Sequence, residues 1–179
     1  MIINYSLEEH KHNFSVWAAA RATQRSFTTV ENLRNALEQS GIREFLQDPV
    51  SKNTTSPMYH ELHSKYCNSI MDYLTKLNID GVTFGRAAKL IAIYLKSMIV
   101  NCDEHCSLSI NAYPPIDSIL LKNISKDIKL PKELRKKCEK IKWTFLDEVK
   151  YNNLINDLKT YVIFDQPMWY IEKYWTVTN

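Results

Sequence analysis

Apolar residues recur along this 179-residue chain mostly at intervals of three or four positions, which is the spacing of one face of an α-helix. The segment 84–100 is apolar around nearly its whole circumference, which predicts a central, buried helix. No stretch alternates apolar and polar residues in the way that a half-buried strand does. The pattern therefore predicts an all-α fold of about eight helices, forming a single compact domain over residues 1–179.

Capping signals predict where the first two helices begin. Ser6-x-x-Glu9 and Thr28-x-x-Glu31 both match the capping box, in which two side chains satisfy backbone amides reciprocally. We expect Gly41 to end the second helix, because glycine readily adopts the left-handed conformation that follows many helices.

Further along the chain, Pro114-Pro115 predicts a helix that begins at Ile116 and carries Asp117 in its first turn. Residues 101–113, which precede it, predict a loop. The remaining helices are expected around residues 57–77, 132–141, 146–163 and 167–175.

The composition narrows the class of protein further. Only 3 glycines and 6 prolines are present, too few for a β-sandwich or a β-barrel. The chain contains no run of 18 apolar residues that could span a membrane, and it begins without the pattern of a secretory signal. We therefore expect a cytoplasmic protein with no membrane partner, whose 4 cysteines stay reduced.

One cluster of cysteine and histidine residues raises the question of a metal. Cys102 and Cys106 flank His105, which could form half of a metal site. His60 and His63 could complete it only through a long-range contact. The alternative is that the thiols lie in the core or in loops. We favour that alternative and predict no metal site and no cofactor.

The net charge of +3 hides an uneven distribution of charge. Residues 122–142 carry nine Lys or Arg and three acids, a net charge of +6, so the rest of the chain carries −3. A clustered positive field favours polyanions such as DNA, although a solvated helix face would explain the same lysines. The candidate DNA-binding residues in this segment are Lys132, Arg135, Lys136 and Lys137.

Two short motifs are similar to those of a known family. A long helix is predicted to end at Leu77, the chain turns through residues 78–82 (Asn-Ile-Asp-Gly-Val), and Thr83 is placed to cap a second helix. Downstream stands Pro115-Ile116-Asp117. Together these motifs resemble the helix-hairpin-helix DNA glycosylases, especially the compact archaeal 8-oxoguanine type, over roughly residues 70–125.

The resemblance implies a helix-hairpin-helix-like turn near residues 78–85 whose amides hold a DNA phosphate, and it implies a catalytic lysine and aspartate. The family hairpin usually reads Gly-Val-Gly, and its catalytic lysine position falls on a glycine of this chain when no gap is introduced. The lysine is therefore assigned from its surroundings and not by register. The implied residues are Gly81, Val82, Thr83, Gly85 and Arg86 for DNA binding, and Lys89 and Asp117 for catalysis.

In this hypothesis Lys89 is the nucleophile and Asp117 is its electrostatic partner. Removing a base from its sugar produces an oxocarbenium-like centre, which a carboxylate stabilises and which an amine can attack to form a Schiff base. Such a site requires the two side chains to lie within about 4–6 Å of each other. The alternative is that Lys89 lies in a solvated strip with Lys96, and that Asp117 only caps a helix.

A DNA glycosylase also holds its extruded base between flat or apolar surfaces. The C-terminal segment 166–175 contains Trp169 and Trp175, which are the candidate base-pocket residues. These aromatic residues could instead anchor a terminal helix on the core.

The leading functional hypothesis is a DNA-binding helical protein that acts in DNA repair as a glycosylase and abasic-site lyase on a modified base. The alternative is a non-enzymatic helical adaptor, or a subunit of a larger bacterial complex, whose aromatic C-terminus docks a protein partner. Other catalytic classes have no support, because the chain lacks a Gly-rich phosphate loop, a Gly-x-Ser-x-Gly elbow and a His-Glu-x-x-His motif.

Overall fold

The computed structural model describes residues 5–24 and 26–176. In these residues the prediction of an all-α fold is confirmed, because every regular element is helical and no strand occurs. This part of the chain forms α1 (Leu7–Gln24), α2 (Val30–Gln39), α3 (Ile42–Gln47), α4 (Ser56–Lys76), α5 (Phe84–Leu95), α6 (Ser107–Asn111), α7 (Ser118–Lys126), α8 (Lys132–Lys140) and α9 (Glu148–Leu158).

Shorter helical segments extend or connect these elements. Two of them are π-helical and continue a preceding helix, Lys96–Val100 after α5 and Lys159–Ile163 after α9. Three are 3-10 helices, which cover Pro49–Asn53, Trp143–Phe145 and Met168–Tyr174.

Helix α5 lies at the centre of the fold, as its pattern predicts. Ten of its twelve residues are buried, and Lys89 is the only charged residue among those ten. The helix packs against α1 and α4, and also against α9 and the 3-10 turn Trp143–Phe145. A charged side chain in such a position must find a partner in the interior, because the interior solvates an ion poorly.

The connection between α4 and α5 is the tight turn that the sequence predicts near residues 78–85. Asn78 and Gly81 adopt positive φ angles of 56° and 73°. The amide of Ile79 donates to the carbonyl of Leu74 at 3.2 Å, which closes the end of α4. Thr83 then caps α5, because its side-chain oxygen accepts a hydrogen bond from the amide of Arg86.

The predicted start of the second helix is wrong by one residue. Thr29, not Thr28, is the N-cap of α2, and its Oγ1 accepts from the amide of Asn32 at 3.1 Å. The hydroxyl of Thr28 instead accepts from the side-chain amide of Asn32 at 2.9 Å. Two adjacent threonines offer equivalent caps in the sequence, so the pattern alone does not separate them.

Two expectations for residues 101–118 are also corrected. The predicted loop contains the five-residue helix α6, which is too short to show a periodic pattern. The helix expected at Ile116 begins at Ser118, because Asp117 accepts two backbone amides and therefore lies before the first turn as its N-cap.

The last predicted helix is a 3-10 helix rather than an α-helix. It covers Met168–Tyr174 and follows Pro167. Met168 and Ile171 are its buried residues, and their separation of three matches the three-residue turn of a 3-10 helix.

Among the described helices, none combines the length and the apolar character that crossing a bilayer requires.

Candidate functional site

The buried lysine of α5 and the aspartate before α7 face each other in the interior. Lys89 Nζ donates to Asp117 Oδ2 at 3.4 Å, and the two residues are 4% and 6% exposed. The structure therefore brings together the two residues that the sequence analysis assigns to catalysis. The alternative in which Lys89 lies on a solvated strip with Lys96 is wrong, because Lys89 is buried.

Asp117 carries out two tasks with its two carboxylate oxygens. Oδ1 accepts the amides of Ile119 and Leu120, both at 3.0 Å, and so caps α7. Oδ2 is directed to Lys89. The cap fixes the carboxylate at the start of a helix, where the helix dipole stabilises negative charge. Capping and pairing thus occur in the same side chain, so they are not exclusive alternatives.

Two tryptophans cover the Lys89–Asp117 pair. The Lys89 ammonium lies 4.5 Å from the ring centroid of Trp143, within the range of a cation–π contact. Trp175 donates its indole N–H to Asp117 Oδ2 at 3.2 Å. Trp143 is buried, whereas Trp175 is partly exposed. The pair is therefore enclosed by aromatic surfaces, one of which reaches the solvent.

The position of Trp143 is set by the start of α5. The amide of Gly85 donates to the carbonyl of Leu146 at 2.9 Å, and the hydroxyl of Thr83 donates to the carbonyl of Thr144 at 2.9 Å. A Cβ atom at Gly85 would lie 2.1 Å from the carbonyl oxygen of Trp143. Glycine at this position lets the turn that carries Trp143 approach the helix closely.

The C-terminal segment that carries Trp175 is held by three polar contacts. Glu172 pairs with Lys96, and the hydroxyl of Tyr174 donates to Asp127 at 2.6 Å. The side-chain amide of Asn123 donates to the carbonyl of Tyr174 at 2.8 Å. The hydrogen bond from the Tyr174 hydroxyl lowers the pKa of Asp127, because it stabilises the carboxylate. The contacts fix the backbone next to Trp175.

The predicted hairpin residues have different environments. Gly81 is exposed, and Val82 is partly buried against the core. The Arg86 guanidinium folds back on the hairpin, where it donates to the carbonyl of Gly81 and lies 4.3 Å from the ring centroid of Phe27. Burial lowers the pKa of Arg86. This side chain therefore supports the turn in this structure.

Gly85 and Thr83 do not present the groups that the phosphate-binding prediction needs. The Gly85 amide and the Thr83 hydroxyl are both directed to carbonyls of the turn after α8. Their role here is to position Trp143, so the prediction that the Gly85 amide holds a phosphate is corrected. The cause is a long-range contact that the local motif does not reveal.

The predicted basic residues lie on and beside α8. Lys132 and Lys136 are exposed, while Arg135 is partly buried and donates its Nε to the carbonyl of Leu130 at 3.2 Å. Lys137 pairs with Asp157 of α9. Lys132 is available to an anion and the exposed Lys136 lies 3.9 Å from Glu133 of the same helix, whereas Arg135 and Lys137 also stabilise the fold locally.

In the described part of the chain, Trp169, the other predicted base-pocket residue, forms no hydrogen bond with Asp117. Its indole lies against Tyr170, with ring centroids 6.3 Å apart. Trp143 covers the pair instead, and the sequence analysis missed it. The signal was weak, because Trp143 lies in a three-residue turn with no helical period.

The cysteine and histidine residues do not gather into a metal site. Among residues 5–24 and 26–176, no group of three or more His, Cys, Asp or Glu side chains is placed to hold a metal ion. His105 is exposed, and Cys106 lies beside Ser109. His60 and His63 contact the rings of Tyr113 and its neighbours, away from the cysteine pair.

A second buried polar region surrounds His63. Its imidazole stacks on Tyr151 with ring centroids 5.4 Å apart, and its ring edges meet Tyr113 and Phe84. Burial in these rings lowers the pKa of His63 to about 3. His63 is therefore neutral and enclosed by aromatic rings, in contrast to the Lys89–Asp117 pair.

No protein-family model, curated protein or solved structure matches the chain. The resemblance to the helix-hairpin-helix DNA glycosylases therefore stays a prediction that rests on the two motifs.

Proposed function

We propose that this chain is a DNA-binding helical protein of the DNA glycosylase and abasic-site lyase type, acting in DNA repair on a modified base. The observation that carries the proposal is the buried Lys89–Asp117 pair at 3.4 Å between two tryptophans. Lys89 is the proposed nucleophile, and Asp117 is its electrostatic partner.

A buried ion pair is poorly explained by stability alone. Removing two charges from water costs several kcal/mol for each ion, and apolar residues of similar volume often stabilise a core equally well. Perturbed and buried ionisable groups with a specific charged partner cluster at functional sites. Helix α5 buries Lys89 among apolar residues, so a chemical role accounts for its presence better than packing does.

The geometry supports proton transfer within the pair. In the proposed reaction Asp117 accepts a proton from the Lys89 ammonium, and the free amine forms a bond to C1′ of the sugar. The N-glycosidic bond breaks, and the base leaves with the electron pair and takes up the proton from Asp117, which restores the Asp117 carboxylate. Opening of the sugar ring gives a Schiff base, from which β-elimination cleaves the strand. The Asp117 carboxylate stabilises positive charge that develops at the sugar.

A base reaches the pair only when a covering side chain moves. Trp175 is the partly exposed member of the two indoles, and it contacts Asp117 through one hydrogen bond at 3.2 Å. We therefore assign to Trp175 the face on which an extruded base would stack, in place of the intramolecular contact. Trp143 would form the inner wall.

Exposed lysines around α8 supply the proposed electrostatic contact with DNA. Lys132 and Lys136 lie on this surface, and lysines that neutralise phosphates make binding strongly dependent on salt. The hairpin contributes through Gly81, which is exposed at the turn.

Borohydride trapping on labelled duplexes that carry 8-oxoguanine, uracil or an abasic site tests this function. The wild-type protein should form a covalent adduct with one of these duplexes, and Lys89→Met should form none. Lys159→Met is the matched control, because Lys159 is a partly buried lysine that contacts Ser56 and Tyr113 rather than Asp117. Circular dichroism verifies that each variant is folded.

The double variant Lys89→Met/Asp117→Asn extends the test if the single substitution unfolds the chain. It removes both charges while asparagine retains a side chain that can cap α7. No adduct with any duplex, together with no salt-sensitive binding, would exclude the proposed function.

A protein partner remains the second candidate function, because a pair of large aromatic residues is exposed on α1. Phe14 and Trp17 are both more than half exposed, and their ring centroids lie 6.0 Å apart. Exposed aromatic residues are enriched at protein interfaces. Sedimentation of the wild-type chain and of Phe14→Ser/Trp17→Ser distinguishes this case, because an adaptor that associates through this surface should lose its assembly in the variant.

A further inference from the structure

We infer that the surface around Phe145 binds single-stranded nucleic acid, with the Phe145 ring as a stacking platform and Lys140 and Lys142 as phosphate contacts. The inference rests on the proposed function for the biological role of this surface. The binding test itself does not depend on Lys89. The surface is a shallow groove between the end of α8 and the start of α9.

The first observation is an aromatic ring that the fold leaves in solvent. Phe145 is 71% exposed, although its neighbour Leu146 and the nearby Trp143 are buried. Exposing a phenyl ring forfeits the free energy that its burial would supply. A planar apolar face in solvent is the surface on which an unpaired base stacks.

The second observation is the charge around that ring. Four lysines line the groove, and among the described residues no acid lies within ion-pair distance of Lys140 or Lys142. The other two, Lys137 and Lys150, pair with Asp157 and Asp147. Two lysines without an acidic partner, placed beside an exposed ring, provide the charge complementarity that a phosphate backbone needs.

The third observation ties this groove to the Lys89–Asp117 pair. Trp143 and Phe145 are the two ends of one 3-10 turn. Trp143 points inward and covers Lys89, whereas Phe145 points outward into the groove. A strand held at Phe145 therefore contacts the turn that forms a wall of the buried site.

The chemistry favours a single strand over a duplex. In a duplex each base face is covered by its neighbours, so an exposed ring finds no free face except at an end or at an unpaired base. Positively charged grooves with aromatic platforms bind single strands with little sequence preference. The same surface offers no planar array of donors that would read base edges in a groove of the duplex.

Fluorescence anisotropy of the full chain with a labelled oligo(dT) of about 15 nucleotides tests the inference. The competing ligand is a duplex of the same length, and both are titrated at several salt concentrations. We expect the wild-type chain to bind the single strand through Phe145, so that a change at this residue affects the single strand more than the duplex. Phe145→Leu should weaken single-strand binding roughly tenfold, because leucine lacks the stacking face.

A matched control separates the effect of Phe145 from the general effect of removing an exposed aromatic ring. Phe164→Leu changes another exposed phenylalanine, and Phe164 follows the π-helical continuation of α9. Phe145 precedes α9 and Phe164 follows its continuation, so the two rings lie beyond opposite ends of this helix. We expect this control to bind as the wild type does.

The lysines are tested through the dependence of affinity on salt. Lys140→Gln/Lys142→Gln should lower the slope of log K against log salt by about 1.4, which corresponds to two phosphate contacts on a single strand. The control Lys65→Gln/Lys76→Gln makes the same change of charge at exposed positions of α4 and should keep the wild-type slope.

The outcomes separate this inference from the proposed function. Equal binding of the single strand by wild type and Phe145→Leu, or an equal loss of single-strand and duplex binding in that variant, would overturn the stacking surface. Binding that depends on Phe145 supports the surface even when no adduct forms at Lys89, in which case the proposed reaction falls and the single-strand surface stands.

Discussion

Two of the three buried basic residues in the described part of the chain, Lys89 and His63, are accommodated in opposite ways, while the third, His12, contacts Glu38. Lys89 lies beside a carboxylate, with Asp117 Oδ2 at 3.4 Å. His63 is enclosed by the rings of Tyr151, Tyr113 and Phe84, and its pKa is lowered to about 3, so it is neutral at ordinary pH. The Lys89 site places a charged pair in the interior, whereas the His63 site holds a neutral side chain.

The difference shows that burying a basic group does not require an acid in this fold. An aromatic environment suffices for His63, because a neutral imidazole needs no counter-ion. A lysine in an equivalent apolar setting could be replaced by a methionine of similar shape. The pairing of Lys89 with Asp117 under two tryptophans is the observation on which the proposed chemistry rests.

The strongest test of the comparison breaks the charged pair. Asp117→Asn removes the carboxylate charge beside Lys89 but keeps a side chain that can cap α7. We expect this variant to lose about 3 kcal/mol of unfolding free energy, because breaking a buried pair leaves a charge in the interior. Urea unfolding at neutral pH measures this loss of unfolding free energy.

The control for this variant removes both charges. Lys89→Met/Asp117→Asn should recover to within about 1 kcal/mol of the wild type, because the buried charges are gone. A double variant as unstable as Asp117→Asn would show that the loss comes from the cap or from the Trp175 contact, and not from the charge.

An effect of similar size, spread over several pH units, is expected at His63 as the pH falls. The unfolded histidine titrates near 6.5, whereas the folded pKa is about 3. Between these values the unfolded chain binds the extra proton, so stability falls as the pH decreases, by up to about 1.4 kcal/mol for each pH unit. The stabilising contribution is fully present above about pH 6.5. Urea unfolding from pH 7 to pH 4 measures this slope.

His63→Phe should make the slope shallower, because phenylalanine takes up no proton in either state. His105→Phe is the matched control, since the His105 side chain is 91% exposed, and it should keep the wild-type slope. An unchanged slope in His63→Phe would mean that the carboxylates with lowered pKa values, such as Asp127 and Asp147, carry the acid sensitivity alone.

The smallest effect concerns the wall of the charged site. Gly85→Ala places a Cβ atom 2.1 Å from the carbonyl oxygen of Trp143, so the turn must shift. Such overpacking costs about 1–2 kcal/mol, and it should move the indole that covers Lys89. Thermal unfolding measures the stability, and tryptophan fluorescence measures the displaced ring.

Gly81→Ala provides the comparison for Gly85→Ala. Gly81 has a φ of 73°, and the nearest atom to an added Cβ is the end of the flexible Arg86 side chain. We expect a cost of about 1 kcal/mol from the backbone and an unchanged tryptophan spectrum. Equal spectral changes in both variants would contradict the specific contact between Gly85 and Trp143.

The helices were predictable because their signals are local. The all-round apolar pattern of 84–100 identified the central helix, and the threonine before it identified a cap. Asp117 was recognisable as a residue at a helix start, and that position is what directs its second oxygen toward the interior.

The side chains that cover the Lys89–Asp117 pair were only partly predictable. Trp175 was a candidate, but Trp143 was missed and Gly85 was assigned to DNA, because the contact between them joins α5 to a turn about sixty residues away. A period of three or four residues carries no information on such a contact. The short helix α6 was missed for a different reason, because five residues are too few to show a periodic pattern, and the start of α7 depends on the capping geometry of Asp117.

The most direct test of the central claim locates the covalent bond. The wild-type protein is incubated with the duplex that gives the borohydride-trapped adduct, digested, and mapped by mass spectrometry. We predict that the sugar remnant is attached to the peptide that contains Lys89. Attachment at another lysine, or at the N-terminal amine, would contradict the assignment of the buried pair as the reactive site.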